Sequence, residues 1–490
     1  MGRPDPWTRG GSDTMSPMTP NTPDPRRWWI LTAVAFGSIM TPLDGSIINV
    51  ALPAMSAALR ADLTAVEWVA TAYLLVVGTT VLTWGRLGDL LGLKRIYLVG
   101  LSLFSLGSLL CGLSHSLGLL VGWRVLQAVG GGMLLSVGPG IIAEAFPQRE
   151  LGQALGLNGV VVALGLALGP TLGGILTGSL GWPWIFFVNV PVGIAGVLWG
   201  ARILPEAKGR VAEPFDIPGA GFAGVAFLGI LSALSLGPTI GFGSTSVVAL
   251  FVLGGLGLFA FALRELRYRF PMLDPALFRN RVFAAASTAT LLNFLAQFAV
   301  TFLMPFYLET LRAMRPEQAG LLLTAFPLVM MLTAPFAGRL SDRMGTRWLA
   351  TGGMALQIIA LLLLGRLSAS DPPLRIAAEL ALFGAGNGLF TAPNNSAVMG
   401  AAPGRRRGIA GGVLAMMRYL GMALGIGLTA AVFAHASGLG ANDLGTAQPG
   451  LGFQISFLRG LHTSYALAAG LAVIGLITSA VRGKEQARAH

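Results

Sequence analysis

Fourteen predominantly apolar runs divide the chain, near 28–52, 65–85, 96–113, 118–142, 153–178, 184–202, 217–237, 246–263, 282–308, 317–338, 347–366, 374–400, 408–434 and 463–481. Each is close to the roughly 20 residues that a helix needs to cross a bilayer. Only 11% of the 490 residues are charged and 54% are hydrophobic, whereas a soluble domain carries about a quarter charged residues. The expected fold class is therefore an all-α integral membrane protein with 14 transmembrane helices. An even number of crossings puts both termini on one side.

The loops say which side. Basic residues are retained in the cytoplasm, and with the N-terminus inside, 25 of the 33 Arg and Lys fall in inside segments and 6 outside, leaving Arg124 and Arg418 within helices. Both termini are expected to be cytoplasmic, in the cytoplasmic membrane. The same clustering of Arg between apolar runs accounts for the net charge of +12, so no nucleic-acid partner is expected. Residues 1–27 are Pro-rich and polar, without the apolar stretch of a signal peptide, and are expected to form a disordered cytoplasmic tail. Residues 435–462 form the longest outside loop.

The chain also repeats itself. GRLGDLLGLKR at 85–95 reappears as GRLSDRMGTRW at 338–348, an offset of 253; PQRELG at 147–152 matches PGRRRG at 403–408 and GLALG at 165–169 matches GMALG at 421–425, both offset by 256. Two six-helix bundles, 28–202 and 282–482, are expected on either side of an inserted two-helix hairpin with its flanking cytoplasmic loops, 203–281, and a short cytoplasmic tail at 483–490. Duplicated halves around a midplane site are the architecture of secondary transporters.

Other chemistries find little support. There is no G-x-x-x-x-G-K-[ST] phosphate loop, the four histidines are scattered without the spacing of a metal site, and the single cysteine, Cys111, precludes an intrachain disulfide. The chain is expected to be no enzyme and to use no metal or cofactor.

Charged side chains inside a membrane are expensive, so Asp44, Arg124 and Arg418 should face a cavity or a partner. Asn49, Gln127, Asn158, Asn293, Gln297, Asn387 and Asn394 are candidates to line that cavity with Arg418, or else to bond neighbouring helices. In the loop 85–95, Gly85 and Gly88 let helix ends approach, Asp89 can cap the following helix and pair with the basic cluster, and Lys94 and Arg95 hold the loop inside. Its copy keeps the acid at Asp342. In GLALGPTLGG at 165–174, Gly165, Gly169 and Gly173 recur every four residues as a face without side chains. Pro170 removes a backbone donor and bends the helix, and Gly174 eases that bend.

These stretches, together with LDGSIINVALP at 43–53, WVATAYLL at 68–75, RVLQAVGGG at 124–132 and WPWIFFVNVPVG at 182–193, carry a resemblance over residues 28–482. The chain resembles the major facilitator superfamily, in its fourteen-helix drug:proton antiporter branch of the EmrB/QacA type. The resemblance implies the major facilitator fold and assigns the 85–95 loop, including Gly92, to a cytoplasmic gating latch. It associates the helix around Arg124 with proton coupling, and the G-x-x-x-G-P-x-x-G-G pattern with exporters. On this reading Asp44 and Arg124 approach each other, and protonation of Asp44 is exchanged for substrate binding or release of the arginine; a static pair locking helices together is the competing structural reading.

The expected function is proton-coupled export of amphipathic small molecules, such as drugs, antibiotics and antiseptics, by alternating access. The expected partners are that substrate, protons and the lipid bilayer, with a periplasmic adaptor left open. The alternatives are an exporter dedicated to one self-made natural product, an importer, and a membrane sensor that does not transport.

Overall fold

A computed structural model of the chain describes residues 25–61, 63–66, 68–206, 213–268, 270–273, 275–439 and 450–482. The expected tails at 1–27 and 483–490 lie outside the described residues, apart from 25–27, as do the side chains of Asn49 and Pro170.

Fourteen long helices follow in chain order: α1 (Arg27–Leu59), α2 (Trp68–Leu91), α3 (Leu93–Gly112), α4 (Leu117–Ala145), α5 (Gln148–Ser179), α6 (Asn189–Ile203), α7 (Ile217–Ile240), α8 (Thr245–Arg267), α9 (Arg281–Phe306), α10 (Ala325–Met344), α11 (Thr346–Leu364), α12 (Pro373–Ala401), α13 (Arg407–Ser437) and α14 (Leu451–Val481). Thirteen spans among the described residues are long and apolar enough to cross a membrane. The exception, α12, has 29 residues but carries Glu379, Asn387, Asn394 and Asn395, the first three of which are buried. Its polarity points into the protein. Helix α14 starts at Leu451, so the outside loop expected at 435–462 is helical as far as Ser437 and again from Leu451. Arg459 and His462, the polar interruptions of ISFLRGLH, lie two to three turns inside α14 rather than in a loop.

Local chemistry sets several boundaries. Ser116, Asp216, Ser244 and Asn280 each accept a first-turn N–H at the start of α4, α7, α8 and α9, the usual N-cap arrangement. The α2–α3 and α10–α11 corners turn at Gly92 (φ 101°) and Gly345 (φ 88°), a backbone region costly for any residue with a Cβ. These glycines are 253 residues apart, the offset of the loop repeat.

Helices α1–α6 pack with one another, as do α9–α14, and the two groups meet along α2 with α13 and along α5 with α10. Helices α7 and α8 pack together, and α7 also lies on both α2 and α13. Leu231 covers Gly78 of α2 and Leu234 covers Gly427 of α13. Helix α8 presents Phe251, Val252, Leu256 and Phe259 outward, an apolar face suited to lipid.

Candidate transport site

Asp44, on α1, is 1% exposed and Arg124, on α4, is 0% exposed. Arg124 Nη1 donates to Asp44 Oδ2 at 2.6 Å and to Gln127 Oε1 at 2.5 Å, and its Nε donates to the carbonyl of Val69 at 2.9 Å. Gln127 Nε2 donates to Asp44 Oδ1 at 2.8 Å and to Ser108 Oγ at 2.7 Å, while Asn189 Nδ2 reaches Asp44 Oδ1 at 3.3 Å. The Tyr73 ring lies 4.4 Å from the guanidinium carbon. Five helices thus meet in one cluster, three of them at the carboxylate itself. Arg124 Nη2 and Tyr73 Oη are buried without a hydrogen-bond partner among the described residues. Protonating Asp44 would remove the only negative charge facing Arg124 in the cluster, leaving a buried guanidinium uncompensated, which is costly.

The helix that carries the glycine pattern, α5, packs on α1 beside this cluster. A Cβ on Gly165 would sit 2.8 Å from the Ile39 carbonyl oxygen, and one on Gly169 would overlap Ser46 Oγ. Gly173 is buried, whereas Gly174 is exposed with open space beside it. The helix remains continuous through residue 170.

At the loop end the two helix groups are joined twice, in the same way. Asp89 accepts the N–H groups of Gly408 and Ile409 at 2.7 and 2.9 Å, and Asp342 accepts those of Gly152 and Gln153, both at 2.9 Å. Helices α5 and α13 carry no side-chain N-cap of their own. At α13 the carboxylate takes two orphan first-turn N–H groups, and at α5 it reaches the N–H groups of the second turn, so in both cases an acid of the other group sits at the positive dipole end of the helix. The expectation that Asp89 caps the following helix is corrected: Asp89 lies inside α2, and α3 begins at Leu93, after the N-cap residue Gly92, without a side-chain cap. Leu90 and Leu91 still separate Asp89 from Gly92, and the helical turn aims its carboxylate sideways, toward α13. Nor does Asp89 pair with the basic cluster. Lys94 Nζ bonds the Ala201 carbonyl at 2.9 Å, and Arg86, 1% exposed, pairs with Glu213 at 2.6 Å. Arg95, on the first turn of α3, is exposed. Close approach at these joints needs glycine: a Cβ on Gly85 would fall 2.5 Å from the Gly408 oxygen, and one on Gly152 would fall 2.6 Å from the Gly338 oxygen.

The remaining polar candidates mostly bond within their own helix group. Asn293 accepts from Gln357 at 2.7 Å, Gln297 accepts from Asn387 at 3.1 Å, and Asn394 donates to Thr290 Oγ1 at 2.8 Å and to the Ala286 carbonyl at 3.0 Å. Asn158 is half-buried with its Oδ1 unpartnered. Arg418 is also half-buried, with its guanidinium 5.1 Å from the Phe294 ring centre. Sequence reasoning gave no role to Ser108, Asn189, Gln357, Glu213 or the buried Arg482, which donates to Thr346 Oγ1 at 2.8 Å. Asn189 lies within WPWIFFVNVPVG, but an uncharged polar residue in an apolar run does not announce its partner.

Residues 34–426 and 286–488 match the Major Facilitator Superfamily. The chain is 36% identical over 455 residues to the riboflavin transporter RibZ of Clostridioides difficile, covering 92% of this chain and 96% of that protein. It is 30% identical over 414 residues to the tetracenomycin C resistance and export protein of Streptomyces glaucescens, covering 84% and 77%. It is likewise 30% identical over 405 residues to the multidrug resistance protein Stp of Mycobacterium tuberculosis, covering 82% and 75%. The crystal structure of the human organic anion transporter MFSD10 shares the fold at a TM-score of 0.65 and 14% identity, over 92% of this chain and 99% of that one. These relatives are transporters rather than enzymes. The chain belongs to the Major Facilitator Superfamily and is a multi-pass membrane transporter of small molecules.

Proposed function

We propose that the protein is a proton-coupled antiporter that exports amphipathic small molecules across the cytoplasmic membrane, with both termini cytoplasmic. The halves 28–202 and 282–482 alternate access to a site between them, and the hairpin region 203–281 rides on α2 and α13. The observation that carries this reading is the Asp44–Arg124–Gln127 cluster. A proton arriving at Asp44 frees Arg124 and loosens five converging helices, so proton binding and helix rearrangement become one event. The trans-capping aspartates Asp89 and Asp342 close the loop end and part when it opens. The Gly165–Gly169 face, with Pro170 beside it, lets α5 slide or pivot on α1.

Everted vesicles test the proposal. Wild-type protein is expected to take up amphipathic dyes and antibiotics only when a proton gradient is imposed, and Asp44→Asn to abolish that uptake with the protein still in the membrane. Gradient-dependent uptake undiminished in Asp44→Asn would overturn the coupling role. A dedicated exporter is the second reading, favoured by similarity to a transporter named for one compound; transport of one ring-shaped metabolite and no other panel member would establish it.

A further inference from the structure

Arg418 stands apart from the other deep charges. It lies 11 residues into α13, about 16 Å along the helix and so near the middle of a bilayer of roughly 30 Å. Asp44 and Arg124 neutralise each other at 2.6 Å, but Arg418 forms no salt bridge or hydrogen bond with any described residue, and its Nε is buried without an acceptor. Its neighbour is the face of Phe294, which contributes only a modest attraction. A mid-membrane guanidinium requires an anion, water or a polar cavity.

Its direction follows from the helix. Gly411, seven residues earlier and on the same face, abuts the Ser136 carbonyl of α4 across the boundary between the helix groups. Arg418 is two turns farther along that boundary. On the other flank, Gly421 and Gly425 touch the Leu291 and Leu295 carbonyls of α9. The side chain therefore points into the space between α4 and α9, the region that alternating access must expose. Next to it, Tyr419 crosses the same boundary to Gly78 of α2.

We propose that Arg418 is the substrate-charge receptor of the central site, and that the substrates are organic anions: amphiphiles whose carboxylate or phenolate meets Arg418 while an aromatic body lies against Phe294 and Tyr419. The proposal rests on the export reading for its direction of transport. With the Asp44–Arg124 pair neutral as a unit, Arg418 leaves the mid-membrane site with one positive charge, which attracts an anion and repels a lipophilic cation. The guanidinium fork suits a carboxylate through two parallel hydrogen bonds.

Two dyes sharing one ring skeleton, anionic fluorescein and cationic rhodamine 6G, test this with purified full-length protein in nanodiscs, followed by fluorescence polarisation. Wild type is expected to bind fluorescein more tightly than rhodamine 6G. Arg418→Gln is expected to weaken fluorescein about tenfold or more without weakening rhodamine 6G, and Arg418→Lys to retain part of the anion affinity. In wild type alone, 1-naphthoate should displace fluorescein where the neutral 1-naphthamide does not, a comparison that holds even if the variants fail to fold. Absence of fluorescein binding, preference for rhodamine 6G, equal loss of both dyes in Arg418→Gln, or equal displacement by the amide would each overturn the assignment. Proton-gradient dependence of fluorescein uptake in everted vesicles is a separate readout. Its absence alongside anion-selective binding would defeat the export reading and leave the receptor assignment standing.

Discussion

The carboxylate of Asp89 accepts the backbone N–H of Gly408 at 2.7 Å, across 319 residues of sequence, and Asp342 does the same for Gly152 at 2.9 Å. Each is a charge-assisted hydrogen bond within the first two turns of a helix that has no side-chain N-cap of its own, so an acid on one half holds the positive end of a helix of the other. Bonds of this kind contribute about 1.5–3 kcal/mol. Asp89→Asn and Asp342→Asn are each expected to shift the equilibrium toward an open loop end by about tenfold, corresponding to roughly 1.4 kcal/mol, and the double variant further. Spin labels at Arg149→Cys and Arg343→Cys, with buried Cys111 left in place, would report the change as a longer distance population. An unchanged distribution in the double variant would remove the latch from the mechanism.

The reciprocity was half legible in the sequence. The offsets of 253 and 256 paired GRLGD with GRLSD and PQRELG with PGRRRG, but a repeat says which segments are alike rather than which segments touch. Asp44 and Arg124 were readable because a charge inside an apolar run demands a partner. Asn189 and Ser108 were not, since a hydroxyl or amide is cheap enough in a helix to occur for many reasons. Arg86 is one of the 25 basic residues counted on the inside, yet it reaches Glu213 ahead of the inserted hairpin. A linear reading has no rule that would join those two.

Removing one member of the central pair is expected to cost more than removing both. Asp44→Asn leaves Arg124 buried without a counter-charge, and breaking a buried pair in this way costs about 3–5 kcal/mol. The double variant Asp44→Asn/Arg124→Met relieves that cost and should recover much of the thermal stability while remaining inactive in proton-driven transport. Thermal unfolding in detergent of the two single variants and the double variant measures the coupling. Strict additivity would show that the two side chains do not support each other.

The α1–α5 contact predicts a contrast between two glycines nearby in sequence. Gly169→Ala places a methyl group into Ser46 Oγ, whereas Gly174→Ala meets nothing within 4 Å. Overpacking of this kind costs about 1–3 kcal/mol, so the first substitution should lower the unfolding temperature and the transport rate while the second leaves both near wild type. Ser46→Gly should partly rescue Gly169→Ala. Equal effects at 169 and 174 would mean that the cost is one of helix propensity rather than of close packing.

Asp371, in the connection before α12, supplies a pH-dependent prediction at the far end of the molecule. The backbone N–H of Ser368, at 2.6 Å, with further support from Arg375, holds its carboxyl below the usual range. A group whose pKa is depressed on folding contributes stability above its unfolded pKa, about 3.9 for Asp, and loses that contribution as pH falls through the lower folded value. Asp371→Asn should therefore be less stable than wild type at neutral pH, with the gap closing as the medium is taken below the ordinary carboxylate range. Paired thermal unfolding scans across that acid range check the sign: a gap that widens toward acid would mean that the ionised carboxylate does not stabilise this turn.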